Sequence, residues 1–326
     1  MQEVDIYQEL AGFAGVPIVQ FPGDGDPSAT AALPEDIENH AWRIAIRRRG
    51  EQIPFEELFA RFLSRVDPSR VRALVIGDWH TEKQFGLDSA EVIDQVAAAA
   101  ERFPALRSVF LGDIDPQCLE ISWIRQSDVT PLLSAFPLLE ELGVKGGDGL
   151  RLSPVTHQNL RWLSIRTGGL GAEVVRAVGA SSFPALQTLE LCLGDPEYGG
   201  TCHPRDLADI LAGDRLPALR RLVLADADDA DEIAALLAHA PIVAQLEELD
   251  LSLGTLGDTG VAALLAGQSL THLKSLDLNY NFISEAVAHQ LVEALPTVAV
   301  DIDPGDAEFV DWDEDEERQR YVAVAE

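Results

Sequence analysis

From residue 67 onward the hydrophobic positions repeat one spacing: apolar, two variable, apolar, one variable, apolar. The frames are Val71-Leu74-Ile76, Leu106-Val109-Leu111, Leu139-Leu142-Val144, Leu160-Leu163-Ile165, Leu186-Leu189-Leu191, Leu219-Leu222-Leu224, Leu246-Leu249-Leu251 and Leu273-Leu276-Leu278. A degenerate ninth copy stands at Val300-Asp301-Ile302. The eight clear frames begin 35, 33, 21, 26, 33, 27 and 27 residues apart. Within each copy the period changes. The last positions alternate, as in a half-buried strand. The stretch that follows has apolar residues at helical spacing, as in "DSAEVIDQVAAAAERF" from Asp88, "DEIAALLAHA" from Asp231, "DTGVAALLAG" from Asp258 and "SEAVAHQLVEAL" from Ser284. Most of these open on Asp or Ser, which cap helix N-termini, and several end near Gly or Pro, which stop helices. A strand and a helix in one short unit cannot bury their leucines alone. Copies must stack, with a parallel sheet inside and helices outside.

Three copies share a further signature: "FPALRSVFL" at Phe103, "FPALQTLEL" at Phe183 and "LPALRRLVL" at Leu216. The proline ends one unit's helix and the leucine enters the next unit's core. These residues resemble the leucine-rich repeat superfamily in its long, helix-bearing form, like the ribonuclease inhibitor. The resemblance covers about residues 67–303 and is clearest in "LTHLKSLDLNYNFIS" from Leu270, with Asn281 at the usual asparagine position. The whole chain is also similar to uncharacterised bacterial leucine-rich repeat proteins that share "ISWI" (Ile121–Ile124), "DVTPLL" (Asp128–Leu133) and "RYVAVAE" (Arg320–Glu326). The resemblance implies a curved, right-handed α/β horseshoe of eight or nine repeats. It implies a fold and no activity.

The ends do not carry the repeat. In residues 1–66, "GVPIVQF" and "AWRIAIRR" read as strands separated by a Gly/Pro/Asp-rich loop at 22–36. "PFEELFARFLSRV" reads as a helix with Phe55, Leu58, Phe59, Phe62, Leu63 and Val66 on one face. A solenoid needs its first core layer covered, so this region is expected to be an N-terminal cap. Residues 304–326 form an acidic tail ending in "RYVAVAE", a β-prone stretch expected to return to a sheet edge or to cap the last repeat.

Charge narrows the partners. Lys and Arg number 24 against 55 Asp and Glu, a formal charge of -31. Such a chain repels phosphate backbones and anionic lipid, which argues against nucleic-acid and membrane-surface roles and for a basic protein partner. The N-terminus lacks the basic and apolar regions of a secretory signal, and three cysteines fit a reducing cytoplasm.

The variable positions between the leucines face the concave side of such a fold, and adjacent strands set them about 4.8 Å apart. Read along the copies, they place Phe110 exposed in a nearly uncharged N-terminal third. The middle carries Trp162, Lys145 and Arg166, followed by Glu190 and Arg221. The C-terminal third stacks Glu248, Asp250, Asp277, Asp301 and Asp303, with Asn279 and Tyr280 added to the same partner-binding face. Stacked like charges call for compensation. The acidic ladder is therefore the candidate receptor for Lys and Arg of a partner, with Phe110 and Trp162 as apolar anchors. Lys145 and Arg166, each followed by glycine turns, are a second candidate, for a small anion. Carboxylates of the ladder would suit a hard cation, although no Ca²⁺-loop pattern is present. Cys192, Cys202 and His203 lack a fourth ligand for zinc. No nucleophile, zinc-protease or redox motif is present, so no metal, cofactor or catalytic residue is assigned. The chain reads as a non-enzymatic binding scaffold. Trp123, within the insertion 112–128, is expected either to pack as a small satellite core, the favoured reading, or to serve as an interface anchor.

Overall fold

The computed structural model describes residues 9–22, 33–46, 53–81, 86–303 and 320–324. The loop expected at 22–36 and the acidic run up to residue 317 lie largely outside them. The chain runs through β1 (Gly12–Phe13), β2 (Val16–Gln20), β3 (Ala41–Ile44), α1 (Phe55–Arg65), β4 (Ala73–Ile76), α2 (Ala90–Ala98), β5 (Ser108–Leu111), α3 (Thr130–Ala135), β6 (Glu141–Lys145) and β7 (Trp162–Arg166). It continues through α4 (Ala172–Ala180), β8 (Thr188–Gly194), α5 (Ala208–Ala212), β9 (Arg221–Ala227), α6 (Ala230–Leu237), β10 (Glu248–Asp250), α7 (Asp258–Ala266), β11 (Ser275–Asp277), α8 (Glu285–Ala294) and β12 (Ala299–Asp301).

All twelve strands lie in one sheet in chain order. Each pair is parallel except the β1–β2 hairpin. The register reproduces the sequence frames. Leu74, Val109, Leu142, Leu163, Leu189, Leu222, Leu249, Leu276 and Val300 are paired strand to strand in one row. This row faces the helices, and its members from Leu74 to Leu276 are at most 2% exposed. Burying each such side chain contributes about 1.5–3 kcal/mol, and only neighbouring repeats can supply the cover. The fold is an α/β leucine-rich repeat solenoid.

The Pro-Ala-Leu joint is a single turn used three times. The amide of Leu106 donates to the carbonyl of Phe103, Leu186 to Phe183 and Leu219 to Leu216, at 3.1 Å in each case. All six residues are buried. The shortest frame spacing, between the copies starting at Leu139 and Leu160, leaves no room for a helix. That outer segment is extended, with isolated bridges at Arg151 to Asp128 and Thr156 to Ser182.

The N-terminal region supplies the expected strands and helix, but β2 and β3 do more than cover the end. They continue the parallel sheet, with Trp42 in register with Leu74 and Ile44 with Ile76. Trp42 is fully buried and stacks toward Phe62 of α1, which also meets Phe21. At the other end, residues 320–324 add no strand to the sheet. They lie against the C-terminal end of β9 and the loops that follow β9, β10 and β11, with Val322 and Val324 buried.

Candidate functional site

The concave face divides into a covered half and an open half. The covering element is the β1–β2 hairpin. Its turn, Ala14-Gly15, has both residues left-handed at φ 54° and 73°. This hairpin folds Phe13 over the inner surface, where its ring meets Phe110 edge-on at 5.8 Å and Trp162 at 6.2 Å. Phe13, Ala41, Ala73, Val75 and Phe110 form a second apolar cluster, with Leu10, Val16, Ile18 and Trp162 packed around it. Phe110 is therefore 1% exposed, and its expected role as an open anchor is corrected. The physical reason is plain: a row of small and apolar residues on a concave surface is itself a site for an apolar segment, and the chain's own hairpin fills it. Gly143 makes the room, because a side chain there would collide with the Phe110 ring.

The central cations are also internal. Lys145 is 3% exposed, and its Nζ donates to the Ile114 carbonyl at 3.2 Å. Burial pulls its pKa down, and nearby Asp113 opposes that shift. Asp113 in turn is paired with Arg43 and accepts the Leu10 amide at 2.9 Å. Burial raises the Asp113 pKa, an effect that Arg43 offsets in part. Arg166 is 5% exposed; its guanidinium lies 3.5 Å from Glu190, bonds to Ser164 Oγ and sits over the Phe110 ring at 5.6 Å. The two residues are in register as expected. They form the polar floor beneath the hairpin rather than an open anion cradle.

The acidic ladder is present and open. Asp250, Asp277 and Asp301 are paired in register on β10, β11 and β12. Strand alternation by itself stacks these like charges without a counter-ion. One guanidinium modifies that: Arg221 reaches Glu248 at 3.0 Å, Asp250 at 3.2 Å and Glu190 at 3.9 Å. Asp250 is buried and further held by the Ser252 hydroxyl at 2.6 Å and amide at 3.1 Å. Direct ion pairing stops there. Among the described residues Asp277 and Asp301 have no ion-pair partner. The Asp277 carboxyl is pushed up to about 6, first by burial and then by Asp250 and Asp301. It accepts the Asn279 amide at 3.0 Å. Asn279 Oδ1 is buried and lacks a hydrogen-bond partner. Tyr280, at φ 53°, is 51% exposed at the rim of this half.

Outside the face, Trp123 is 64% exposed, which corrects the expected satellite core. A short 3-10 turn over Ile121–Trp123 buries Ile121 and Ile124 and leaves the indole in solvent. The Cys192 and Cys202 thiols are each pushed up to about 12 by burial, so neither is a reactive thiolate at neutral pH. Sequence reasoning missed the hairpin's occupation of the face, and the signal for it was faint: a lone Phe13 in a turn-rich segment.

No family model matches the chain, and no curated protein matches it. Solved structures do. A protein from Bacteroides fragilis shares 28% identity over 87% of this chain and 77% of its own, with a TM-score of 0.73. An internalin from Listeria monocytogenes shares 13% identity over 72% of this chain and 54% of its own, with a TM-score of 0.32. The LRIM1/APL1C complex contributes a chain with 14% identity, 80% and 56% coverage and a TM-score of 0.28. The last two superpose too loosely to carry weight. The Bacteroides fragilis protein is similar to this chain through most of both lengths and shares its architecture.

Proposed function

We propose that the chain is a non-enzymatic protein-binding scaffold and that its docking surface is the open, C-terminal half of the concave face, which receives a basic partner. The observation that carries this reading is the in-register run of Asp250, Asp277 and Asp301, whose last two members have no ion-pair partner among the described residues. A carboxyl raised by burial and like charges is relieved by an incoming Arg or Lys, and desolvated charge pairs of this kind set specificity and orientation. Tyr280, exposed at the rim, is the aromatic contact beside the ladder, while Trp162 is half-buried against the hairpin of the covered half. The sparse cysteines fit a cytoplasmic setting. Among the described residues no helix is long and apolar enough to cross a membrane.

The test is affinity capture from the source lysate with wild type beside an Asp277→Lys/Asp301→Lys double variant, read by mass spectrometry. Asp250 is left alone because it also holds Ser252 and Arg221. A partner kept by wild type at low salt, lost at high salt and lost by the variant is the expected result. Identical retained sets would remove the ladder from the function.

A further inference from the structure

A second recognition surface lies at the C-terminal end of β9 and on the loops that follow β10 and β11; it shares the rim residue Tyr280 with the concave ladder but none of the ladder's carboxylates. Asp226, Leu253 and Tyr280 occupy equivalent positions in three consecutive repeats, and all three are left-handed, at φ 58°, 67° and 53°. Residues other than glycine rarely adopt this conformation, and a repeated instance marks a shaped surface. The first two of these turns support residues 320–324. The Ala323 amide donates to the Leu253 carbonyl at 2.8 Å, and the Val324 amide to Asp226 Oδ1 at 2.8 Å. Val322 and Val324 are buried while Ala323 between them is exposed. The segment is thus read as an extended peptide is read, by backbone bonds and alternate side chains.

Its arginine is read by charge. Arg320 Nη1 donates to Asp231 Oδ2 at 3.2 Å and to the Thr255 carbonyl at 3.0 Å, and its Cζ lies 5.9 Å from the Phe282 ring centroid. Asp231 is pre-oriented, since its other oxygen accepts the Gly257 amide at 2.7 Å and the Gly260 amide at 3.0 Å. Gly257 leaves the space for the guanidinium, which any Cβ there would strike. The arginine does not exhaust the pocket. A volume of about 390 Å³ is lined by Asp228, Asp229, Asp231, Glu232 and Thr255 around Arg320, four carboxylates around one guanidinium, with the His203 imidazole 3.4 Å from Asp229.

We infer that this groove is a peptide-recognition site, and that segment 320–324 is its resident, exchangeable occupant. The partner it fits is an extended protein segment with an arginine followed two and four residues later by β-branched aliphatic residues. A further basic residue beside the arginine would answer the remaining carboxylates. A tethered occupant competes at an effective concentration in the millimolar range, so an external segment gains access when the resident one is displaced.

The test keeps the full chain and converts its tether into a cut. A protease site is inserted between residues 304 and 319, the folded protein is cleaved, and exchange with a labelled peptide of sequence RYVAVAE is followed by fluorescence anisotropy, with circular dichroism as the check on folding. The expected result is a folded body that binds the peptide saturably, with affinity at least tenfold lower for the peptide carrying Ala in place of Arg. Asp231→Asn in the body should cost a similar factor with the native peptide and little with the Ala peptide. A body that unfolds on cleavage, that never exchanges its segment, or that binds both peptides equally would overturn the inference. None of these outcomes bears on the concave ladder, so the two sites stand or fall separately.

Discussion

Asp226 offers a direct measurement of how the chain's end is held. Its carboxyl is fully buried, and burial, reinforced by Asp195, pushes it up to about 8 despite the amides of Val324 and Ala323. Among the described residues one of its oxygens has no hydrogen-bond partner. In the unfolded chain the group titrates near the usual aspartate value. Between about pH 4 and about pH 8 the folded protein therefore binds one more proton than the unfolded one, and stability falls as pH rises across that window. At about 1.4 kcal/mol per unit, the ceiling on this loss is on the order of 5 kcal/mol. Lifting residues 320–324 away would admit water at lower cost, so the observed loss saturates at the cost of that opening. Asp226→Asn keeps an acceptor for the Val324 amide and cannot ionise. The variant should match wild type within about 1 kcal/mol at pH 5 and exceed it by about 2–4 kcal/mol at pH 8.5. Urea midpoints at four pH values between these limits give the difference curve. Asp277, raised to about 6, titrates in both proteins and cancels. Parallel curves would refute the reasoning, because a carboxyl ionised throughout cannot produce a pH-dependent difference.

Three further outcomes are expected. Phe13→Ala should cost about 2–4 kcal/mol, at or below the usual range for a buried phenylalanine because the hairpin can lift, and should red-shift tryptophan emission as Trp162 becomes wetter. Asn281→Ala removes the acceptor of the Leu256 amide and the donor to the Leu251, Leu278 and Asn279 carbonyls, and should lower stability by about 2–3 kcal/mol in urea unfolding. Trp123→Ser, at a solvent-exposed site, should change stability by no more than about 0.5 kcal/mol, and a larger loss would mean that the indole has a packed environment.

The repeat was legible because its chemistry is periodic. A leucine at the same offset in each copy has one explanation, and the register of Leu222, Leu249 and Leu276 follows from the spacing alone. The acidic ladder was legible for the same reason, since residues between the leucines inherit their stacking. What escaped were interactions without a period. Arg221 is one residue in one copy, yet its reach across a strand to Glu190, Glu248 and Asp250 decides which carboxylates are satisfied. Phe110 looked exposed because the strand pattern specifies a face and is silent about what covers it. The N-terminal strands are legible as strands, but their continuation of the repeat sheet is not, because Trp42 and Ile44 do in β3 what leucines do elsewhere.

A repeat array held only by contacts between neighbours melts from its ends, since each terminal unit has one interface instead of two. This chain ties its ends inward. The Leu10 amide bonds to Asp113, 103 residues away in sequence, and the Val324 amide to Asp226, 98 residues away. Such closures convert local zippering into a search for distant partners, and the entropy of closing long loops is spent before the bonds form. The expected signature is slow refolding with a late phase that reports ring closure, and unfolding that begins only after one of the two clasps has opened. The kinetic weak points of this solenoid are then its clasps, at Leu10 and Val324, rather than its outermost strands.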